Sequence, residues 1–276
     1  MKPLAYALRD LLFPPAANCV GCGSPLGCDD GWFCAECARM LRPLYGEKGY
    51  RCPRCGQPGP GGRRCRMCGP WPEGSVEFAR WVYPYRRPVS RMARQLKYRG
   101  VSCLAEWMAQ QMANLYLTER FPGADAIVPV PMHPSRRRRR GFNQAQLLAQ
   151  ELSARVGIPV CGCLVRTRDT PQQARLSGDR RRKNLEGAFL SGPEAEGKRL
   201  LIVDDVLTTG ATVTECALAL KRAGAVSVSA LAFAGSAPGK PPRYTISDGT
   251  GGKRYVTGTR KRASDGPRAG GQDPAV

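Results

Sequence analysis

The stretch that most restricts the fold of this 276-residue chain is residues 199–225, RLLIVDDVLTTGATVTECALALKRAGA. Residues 200–203 form an apolar run rich in branched side chains, which predicts a buried strand of a parallel sheet. Asp204 and Asp205 follow at once, and a short Gly/Thr loop leads into a helical pattern that Gly224 ends. This order predicts an α/β protein with a phosphate site at the carboxyl end of a parallel strand.

The chemistry of this stretch suits a sugar phosphate with a metal ion. The N–H groups at a helix start can bind a phosphomonoester, and threonine hydroxyls add further donors. The two carboxylates can accept hydrogen bonds from a ribose diol or hold Mg²⁺ through its waters. The alternative is an ordinary strand-to-helix turn, in which water solvates the acids and the threonines cap the helix.

Residues 203–212, VDDVLTTGAT, resemble the phosphoribosyl diphosphate (PRPP) signature of type I phosphoribosyltransferases. That signature is an apolar strand, two acids and then T-T-G-x-T. The resemblance implies that Asp204 and Asp205 hold the ribose hydroxyls and assist Mg²⁺, which makes them the candidate catalytic residues. It assigns the 5′-phosphate to the loop that follows: Thr208, Thr209, Gly210, Ala211 and Thr212.

Eight of the 13 cysteines form four CxxC pairs: Cys19/Cys22, Cys34/Cys37, Cys52/Cys55 and Cys65/Cys68. Their clustering indicates metal binding in a reducing compartment rather than a disulfide framework. The simplest assignment is two Cys₄ zinc sites in chain order, 19/22/34/37 and 52/55/65/68. The spacing also permits interleaved pairs, and an iron–sulfur cluster is the rival. Closed Cys₄ sites leave no open coordination position, so the zinc is predicted to be structural.

The composition favours anionic ligands. The formal net charge is +21 at a sequence pI of about 9.9, which fits phosphates, nucleic acid or a membrane surface without choosing among them. No apolar run approaches the length of a membrane span. Residues 4–13 are predicted to be a short amphipathic helix rather than a signal peptide, because Arg9 and Asp10 interrupt the apolar segment. The sequence therefore predicts a cytoplasmic protein.

A second strand-to-helix connection carries the longest basic run. Residues 125–131 are a short apolar strand closed by prolines, and residues 136–140 are five consecutive arginines followed by Gly141. With a helix predicted to begin near Asn143, this loop is a second candidate anion site. The alternatives are a solvated basic run or a nucleic-acid patch. The single histidine, His133, is interpreted as a solvated loop residue rather than a catalytic base.

Changes of composition predict three parts. Residues 1–70 are predicted to hold a short helix and a double zinc ribbon, and residues 71–235 the domain that resembles phosphoribosyltransferases. Residues 236–276 are rich in Gly, Pro, Ser and basic residues and are predicted to be a disordered basic tail. Within the second part, residues 167–189 are polar and rich in helix breakers, which suits a mobile flap over the site.

Three further motifs accompany the PRPP-like signature: LKYRG at residues 96–100, RRGFNQ at residues 139–144, and T-x-x-Q-x-x-L followed by R-x-x-N. The last motif consists of Thr170, Gln173, Leu176, Arg181 and Asn184. Together with the CxxC pairs, this set resembles the ComF family over about residues 4–234. ComF proteins are phosphoribosyltransferase-like proteins named for DNA uptake in competent bacteria.

The ComF resemblance implies a type I phosphoribosyltransferase fold, a parallel sheet with helices on both faces, preceded by a small zinc-ribbon domain. It implies that the diphosphate lies against a basic loop containing Arg139, Arg140, Gly141 and Asn143, and that residues 166–184 close over it. Such transferases pass through an oxocarbenium-like state, and the diphosphate leaves with Mg²⁺ and arginine support. Whether this chain catalyses transfer stays open, because the same fold also serves ligand sensors.

Three functions are consistent with these residues. The chain could transfer a phosphoribosyl group to or from an unidentified acceptor, bind single-stranded DNA through its basic loops with PRPP as a regulator, or dock a competence helicase or a channel subunit through its zinc ribbons. We rank first a protein that binds PRPP with Mg²⁺ and single-stranded DNA and serves DNA uptake or nucleotide processing. The alternative is a non-catalytic DNA-binding or helicase-docking module that uses the PRPP site only for regulation.

Overall fold

The computed structural model describes residues 18–26, 31–43, 51–58, 65, 67–99, 102–170, 184–236, 244–247 and 253–256. The chain divides into two compact units, Met1–Pro238 and Gly239–Val276. The predicted helix at residues 4–13 lies outside the described residues, and so does most of the predicted flap, including Gln173, Leu176 and Arg181.

In the described part of the first unit, the α-helices are α1 Ala35–Met40, α2 Val89–Arg99, α3 Ser102–Thr118, α4 Pro134–Arg140, α5 Gln144–Val156 and α6 Ala211–Arg222. Its strands are β1 Phe78–Pro84, β2 Ala126–Pro129, β3 Leu164–Arg166, β4 Phe189–Ser191, β5 Arg199–Leu207 and β6 Ser227–Gly235. A 3₁₀ turn at Pro193–Ala195 precedes β5. Within the described part of the chain, every helix is too short or too polar to cross a membrane.

Four parallel strands form the sheet in the order β1-β6-β5-β2. Because β5 lies between β6 and β2 and both sheet faces are covered, residues 200–203 are at most 1% exposed. The apolar run is therefore a buried parallel strand, as predicted. The register aligns Pro129 at the end of β2 with Val203 of β5, so the two carboxyl ends lie at the same edge of the sheet.

Helices cover both faces of this sheet. α2, α3 and α5 pack on one face, with fully buried side chains such as Met92, Leu104 and Leu148. α6 covers the other face, together with the antiparallel pair β3–β4 and the second group of cysteines. The fold is therefore the predicted α/β class, and the cysteine-rich segment shares a core with it.

β1 has the sequence FARWVYP, which mixes charged, polar and apolar residues, but its burial does not alternate. Residues 79–83 are covered on both faces of the sheet. Arg80 is one of them, and its guanidinium pairs with Glu119 and donates to the carbonyl of Pro53 at 3.2 Å. This polar residue therefore faces the second group of cysteines rather than water.

The arginine run differs from the prediction, because it forms the helix α4 rather than a loop. Pro134 stands in the first turn, and the His133 side chain accepts the backbone N–H of Ser135 as an N-cap. Arginine has a high helix propensity, and Gly141, at a φ of 83°, ends the helix. His133 is thus a capping residue rather than a solvated loop residue. α5 begins at Gln144, close to the predicted position.

The second unit contains an antiparallel pair of strands, β7 Tyr244–Ser247 and β8 Lys253–Val256. The composition of the tail predicts disorder, whereas these two segments are extended. Their sequences contain β-branched and aromatic residues, which favour extended backbone. The domain boundaries after residues 70 and 235 stay predictions.

Candidate functional site

Asp204 and Asp205 lie at the carboxyl end of β5. Asp205 is 2% exposed; the Lys97 ammonium on α2 lies 2.7 Å from its Oδ2, and the Gln144 amide donates to its Oδ1 at 3.3 Å. The Oδ1 atom of Asp204 accepts the backbone N–H of Asp205 at 2.8 Å. The two acids therefore differ: protein groups engage the carboxylate of Asp205, whereas Asp204 is the more exposed residue.

Burial and mutual charge set the electrostatics of this acidic pair. Burial and the neighbouring charge of Asp205 raise the pKa of Asp204 well above its usual value. Burial acts to lower the pKa of Lys97, but the charge of Asp205 and the hydrogen bond to it outweigh burial and raise that pKa. Lys97 is therefore a charged internal counter-ion of Asp205. A cation beside Asp204 would favour its ionised form in the same way, so this carboxyl fits Mg²⁺ ligation.

The predicted phosphate residues form one connection between β5 and α6, which we call the phosphate loop (residues 208–212). Gly210, at a φ of 81°, is the N-cap of α6, and Thr209 Oγ1 accepts the N–H of Ala211 at 3.4 Å. The three threonines of the loop are partly exposed. Hydroxyl groups and a helix start therefore lie at the same sheet edge as the acidic pair, the arrangement that suits a phosphomonoester.

The arginines of α4 are of two kinds. Arg136 is bound internally, with its Nε 2.7 Å from Oδ1 of Asp169. Residues 137–139 are exposed on the surface of the helix. Arg140 donates to Oε1 of Gln144 at 2.8 Å, and the same amide donates to Asp205. A chain of polar contacts thus runs from α4 to the acidic pair.

The four residues predicted to hold a diphosphate have different environments. Arg140 reaches the acidic pair through Gln144, whereas Arg139 and Gly141 are exposed. Asn143 caps α5: its Oδ1 accepts the N–H of Ala145 at 3.1 Å, and its Nδ2 donates to the carbonyl of Val130 at 3.0 Å. The amide of Asn143 therefore fixes the α5 start against β2, and its role toward a ligand stays a prediction.

A cavity of about 330 Å³ opens between the end of β2, α4, the start of α5 and β3. Arg137, Asn143, Gln146 and Arg166 line it together with prolines and apolar side chains. A few polar groups among apolar ones are the usual lining of a small-molecule pocket. The guanidinium of Arg166 also donates to the hydroxyl of Thr170, which fixes the start of the predicted flap.

The eight predicted metal ligands form two clusters, and within each cluster all four sulfur atoms lie within 4.8 Å of one another. The first cluster is Cys19, Cys22, Cys34 and Cys37, and the second cluster is Cys52, Cys55, Cys65 and Cys68. Chain-order pairing is therefore correct, and interleaved pairing is not. The Sγ atoms of Cys22 and Cys34 are 3.7 Å apart, close to the edge of about 3.8 Å that Zn–S bonds of about 2.3 Å give a tetrahedron. Both clusters fit structural zinc.

Two residues that contact the acidic pair were given no role by the sequence analysis. Lys97 and Gln144 belong to the motifs LKYRG and RRGFNQ, but nothing in their spacing shows that both meet Asp205. Their presence in motifs shared with a family is the one sequence signal that pointed toward them. The contact itself depends on where α2 and α5 pack against the sheet.

Comparison with known proteins defines the class of this protein. The family model described as "Double zinc ribbon domain" matches residues 8–69, and the one described as "Phosphoribosyl transferase domain" matches residues 138–251. The chain therefore joins a double zinc ribbon to a domain of the phosphoribosyltransferase type, in agreement with its two cysteine clusters and its parallel sheet.

Curated relatives are similar over most of their length. DNA utilization protein YhgH of Salmonella typhi is 36% identical over 220 residues, which are 76% of this chain and 93% of that protein. Competence protein F of Haemophilus influenzae is 30% identical over 217 residues, or 75% of this chain and 92% of that protein. Competence protein ComFC of Bacillus subtilis is 28% identical over 214 residues, which are 71% of this chain and 81% of that protein. This chain belongs to the ComF family.

Proposed function

We propose that this chain binds PRPP with Mg²⁺ at the phosphate loop and the acidic pair. We also propose that it binds single-stranded DNA and serves DNA uptake or nucleotide processing. The observation that carries the proposal is the meeting of three features at one sheet edge. These are the phosphate loop, the residue Asp204, whose carboxylate makes no ion pair in the described residues, and the Lys97–Asp205 ion pair. The first two match the phosphate and the ribose diol with its metal ion, and the ion pair fixes the end of the strand that carries Asp204.

The phosphate loop would hold the 5′-phosphate. Its threonine hydroxyls and the start of α6 supply donors where the helix dipole favours negative charge. Asp204 would accept hydrogen bonds from the ribose diol and hold Mg²⁺ through its waters. Asp205, fixed by Lys97 and Gln144, would keep the end of β5 in place. Bound Mg²⁺ would neutralise the charge of the diphosphate.

The basic helix α4 would receive the diphosphate and the nucleic acid. Arg140 is the arginine that a chain of contacts joins to the acidic pair. The exposed arginines at residues 137–139, within a chain of net charge +21, are available to nucleic-acid phosphates. The names of the relatives, a DNA utilization protein and two competence proteins, support a role with DNA.

Turnover is the open part of the proposal. His133, the single histidine, caps α4, and Lys97 neutralises Asp205. Neither His133 nor Asp205 is therefore arranged as a general base. That observation favours the alternative function, a non-catalytic DNA-binding or helicase-docking module in which PRPP acts as a regulator. A phosphoribosyl transfer that depends on charge stabilisation alone would still suit the site.

Calorimetry with PRPP, with and without Mg²⁺, tests the binding proposal. We expect saturable binding that strengthens when Mg²⁺ is present, because the metal offsets repulsion between the diphosphate and Asp204. Absence of Mg²⁺-dependent binding at millimolar PRPP would contradict it. Incubation with labelled PRPP and a panel of bases and single-stranded DNA then separates the two functions. Release of diphosphate that depends on an acceptor indicates an enzyme, and binding without release indicates the regulated module.

A further inference from the structure

The phosphate loop is in direct contact with a tryptophan that follows the second cysteine cluster. Trp71 is 5% exposed, and its indole N–H donates to the carbonyl of Thr209 at 2.9 Å. Its ring also lies against the Cα of Gly210, so closely that a Cβ on this residue would overlap the indole atoms Cε2 and Nε1. One side chain therefore contacts two consecutive residues of the loop.

Glycine is required at position 210 for two independent reasons. Its φ of 81° lies in the left-handed region, which side chains other than glycine rarely adopt. The indole of Trp71 also occupies the space that any side chain would need. The glycine of the T-T-G-x-T pattern is thus required partly by Trp71, a residue that precedes Thr209 by 138 positions in the chain. Spacing within the pattern cannot reveal this contact.

The indole is itself held by the second cysteine cluster. Arg54, which stands between Cys52 and Cys55, lies 5.5 Å from the ring centroid of Trp71. The Arg54 guanidinium donates to the carbonyl of Val76 at 2.8 Å, and the backbone N–H of Trp71 donates to the carbonyl of Cys68 at 3.0 Å. The backbone of Trp71 is thus fixed to one metal ligand, and its ring to the turn between two others.

The first cluster makes a different contact. Arg91 of α2 donates to the carbonyl of Cys22 at 2.8 Å, and Gly23 lies against the same guanidinium. The first cluster therefore packs against α2, whereas the second packs beside the phosphate loop. The two clusters provide an internal comparison for any effect of metal on the loop.

We propose that Trp71 is a positioning residue for the phosphate loop, and that the second cluster with its metal holds Trp71 in place. The loop is thereby ordered before a phosphomonoester binds, and the ligand does not meet the cost of ordering it. The statement that the ligand is a ribose phosphate rests on the proposed function. The ordering of the loop by Trp71 does not, so the two can fail separately.

Hydrogen exchange of the peptide covering residues 208–214, measured without ligand, tests the ordering directly. We compare wild type with Trp71→Phe, which keeps an aromatic ring but removes the N–H donor, and with Trp71→Leu. Trp107→Phe is the control, because Trp107 packs with Tyr83 and Phe233 in the core of the other sheet face. We expect exchange to accelerate about tenfold in Trp71→Leu, less in Trp71→Phe, and not in Trp107→Phe.

The same variants give a binding readout. The affinity for PRPP with Mg²⁺ should fall about tenfold in Trp71→Leu, while the Mg²⁺ concentration needed for half-maximal binding stays unchanged. Unchanged loop exchange in a folded, zinc-replete Trp71→Leu protein overturns the proposal. If Trp71→Leu does not fold, the smaller change in Trp71→Phe decides. If wild type does not bind PRPP, the proposed function fails and the exchange result still decides this inference.

A matched pair of cysteine variants tests the contribution of the cluster. Cys65 and Cys22 are both partly buried ligands, one from each cluster. Cys65→Ser should accelerate exchange of residues 208–214, and Cys22→Ser should leave it at the wild-type rate. Equal acceleration in both variants, or none in either, contradicts a specific link between the second cluster and the loop.

Discussion

At the scale of single residues, the two acids of the signature differ in their internal partners and in their effect on stability. Asp205 is held by Lys97 and Gln144, whereas the pKa of Asp204 is raised by burial and by the charge beside it. A carboxyl whose folded pKa is raised costs stability above its unfolded pKa, because folding disfavours its ionised form. Asp204 therefore lowers stability and keeps its carboxyl outside the internal ion pair, which is the usual trade-off at binding sites.

Asp204→Asn should change binding and stability in opposite directions. Loss of the charged ligand group should weaken binding of PRPP with Mg²⁺ by about 2–4 kcal/mol. The same change should raise the free energy of unfolding at pH 7, because it removes the disfavoured charge. Calorimetry and urea unfolding of one protein preparation measure both quantities. A variant that loses stability as well as binding would show that Asp204 has a structural role instead.

Lys97 gives the second prediction at this scale. Lys97→Gln leaves Asp205 buried without a counter-ion and should lower the free energy of unfolding by about 3 kcal/mol. This is the lower end of the range for a broken buried pair, because the Lys97 side chain keeps 27% exposure. Lys97→Arg should retain most of the stability.

Lys221 offers the matched control for Lys97. Its ammonium lies 2.7 Å from Glu77, the same separation, but the Glu77 side chain is 49% exposed. Lys221→Gln should therefore cost less than about 1 kcal/mol. Urea unfolding compares the variants, and an equal cost at both positions would contradict the role given to the Lys97–Asp205 pair.

At the scale of elements, the short helix α4 and an ion pair between β2 and β5 contribute to the site. α4 is a helix of seven residues, with two arginines turned to internal partners and residues 137–139 exposed. β2 pairs with β5 at the margin of the sheet, and just before its start Asp125 binds Arg199 at the start of β5. The helix supplies charge to the surface, and the ion pair joins the two strands that carry the site.

The exposed arginines of α4 should contribute to binding of single-stranded DNA. Replacing residues 137–139 together with Gln should weaken binding and reduce the slope of log affinity against log salt by about 2, because each lost phosphate contact removes about 0.7. The control is a triple Gln variant of exposed arginines elsewhere, Arg42, Arg120 and Arg222. Fluorescence titration at several salt concentrations measures both, and equal slopes in the two variants would contradict a specific role for α4.

The Asp125–Arg199 pair predicts an acid dependence of stability. Hydrogen bonds from Arg199 lower the pKa of Asp125 from 3.8 to about 2. Because the folded pKa is depressed, the stabilisation is complete above about pH 4 and is lost as the pH falls toward 2. The difference in stability between wild type and Asp125→Asn should therefore be constant near neutrality and shrink between pH 4 and 2. Urea unfolding at each pH checks it, and a difference independent of pH would contradict this assignment.

At the scale of the whole molecule, the cysteine clusters are part of the main core rather than a separate appendage. Cys52, Cys55 and Cys68 belong to the hydrophobic cluster that α6 and β5 build. Val20, beside the first cluster, belongs to the other one. Each sheet face is therefore completed by one ribbon, and zinc bound at a cluster would stabilise the face that this cluster contacts.

Metal content and its removal give the prediction at this scale. Protein purified without added metal should contain about two zinc ions, from two four-cysteine sites. Cys52→Ser should lower the melting temperature more than Cys22→Ser, because Cys52 is buried in the same core as Trp71 while Cys22 is partly exposed. Elemental analysis and thermal unfolding measure these. A metal-free protein that keeps its near-ultraviolet circular dichroism would contradict structural zinc.

The amino-acid sequence by itself determined the local parts of this protein. Residues 200–203 predicted a buried strand, because their side chains are apolar on both faces. Gly224 predicted a helix end, because glycine adopts the left-handed conformation at little cost. Paired cysteines two residues apart indicated metal ligands because a tight turn places both on one ion. These inferences depend on neighbours in the chain, which a sequence displays.

Tertiary structure alone decided which distant groups meet. Lys97 reaches Asp205 because α2 packs on the sheet face beside β5, and Trp71 reaches Thr209 because the second cluster shares a core with α6. Residues 136–140 became a helix through His133 and Pro134 at its start, although a run of arginines also suits a loop. Spacing along the chain does not predict such contacts, because packing between elements, rather than local propensity, brings these atoms together.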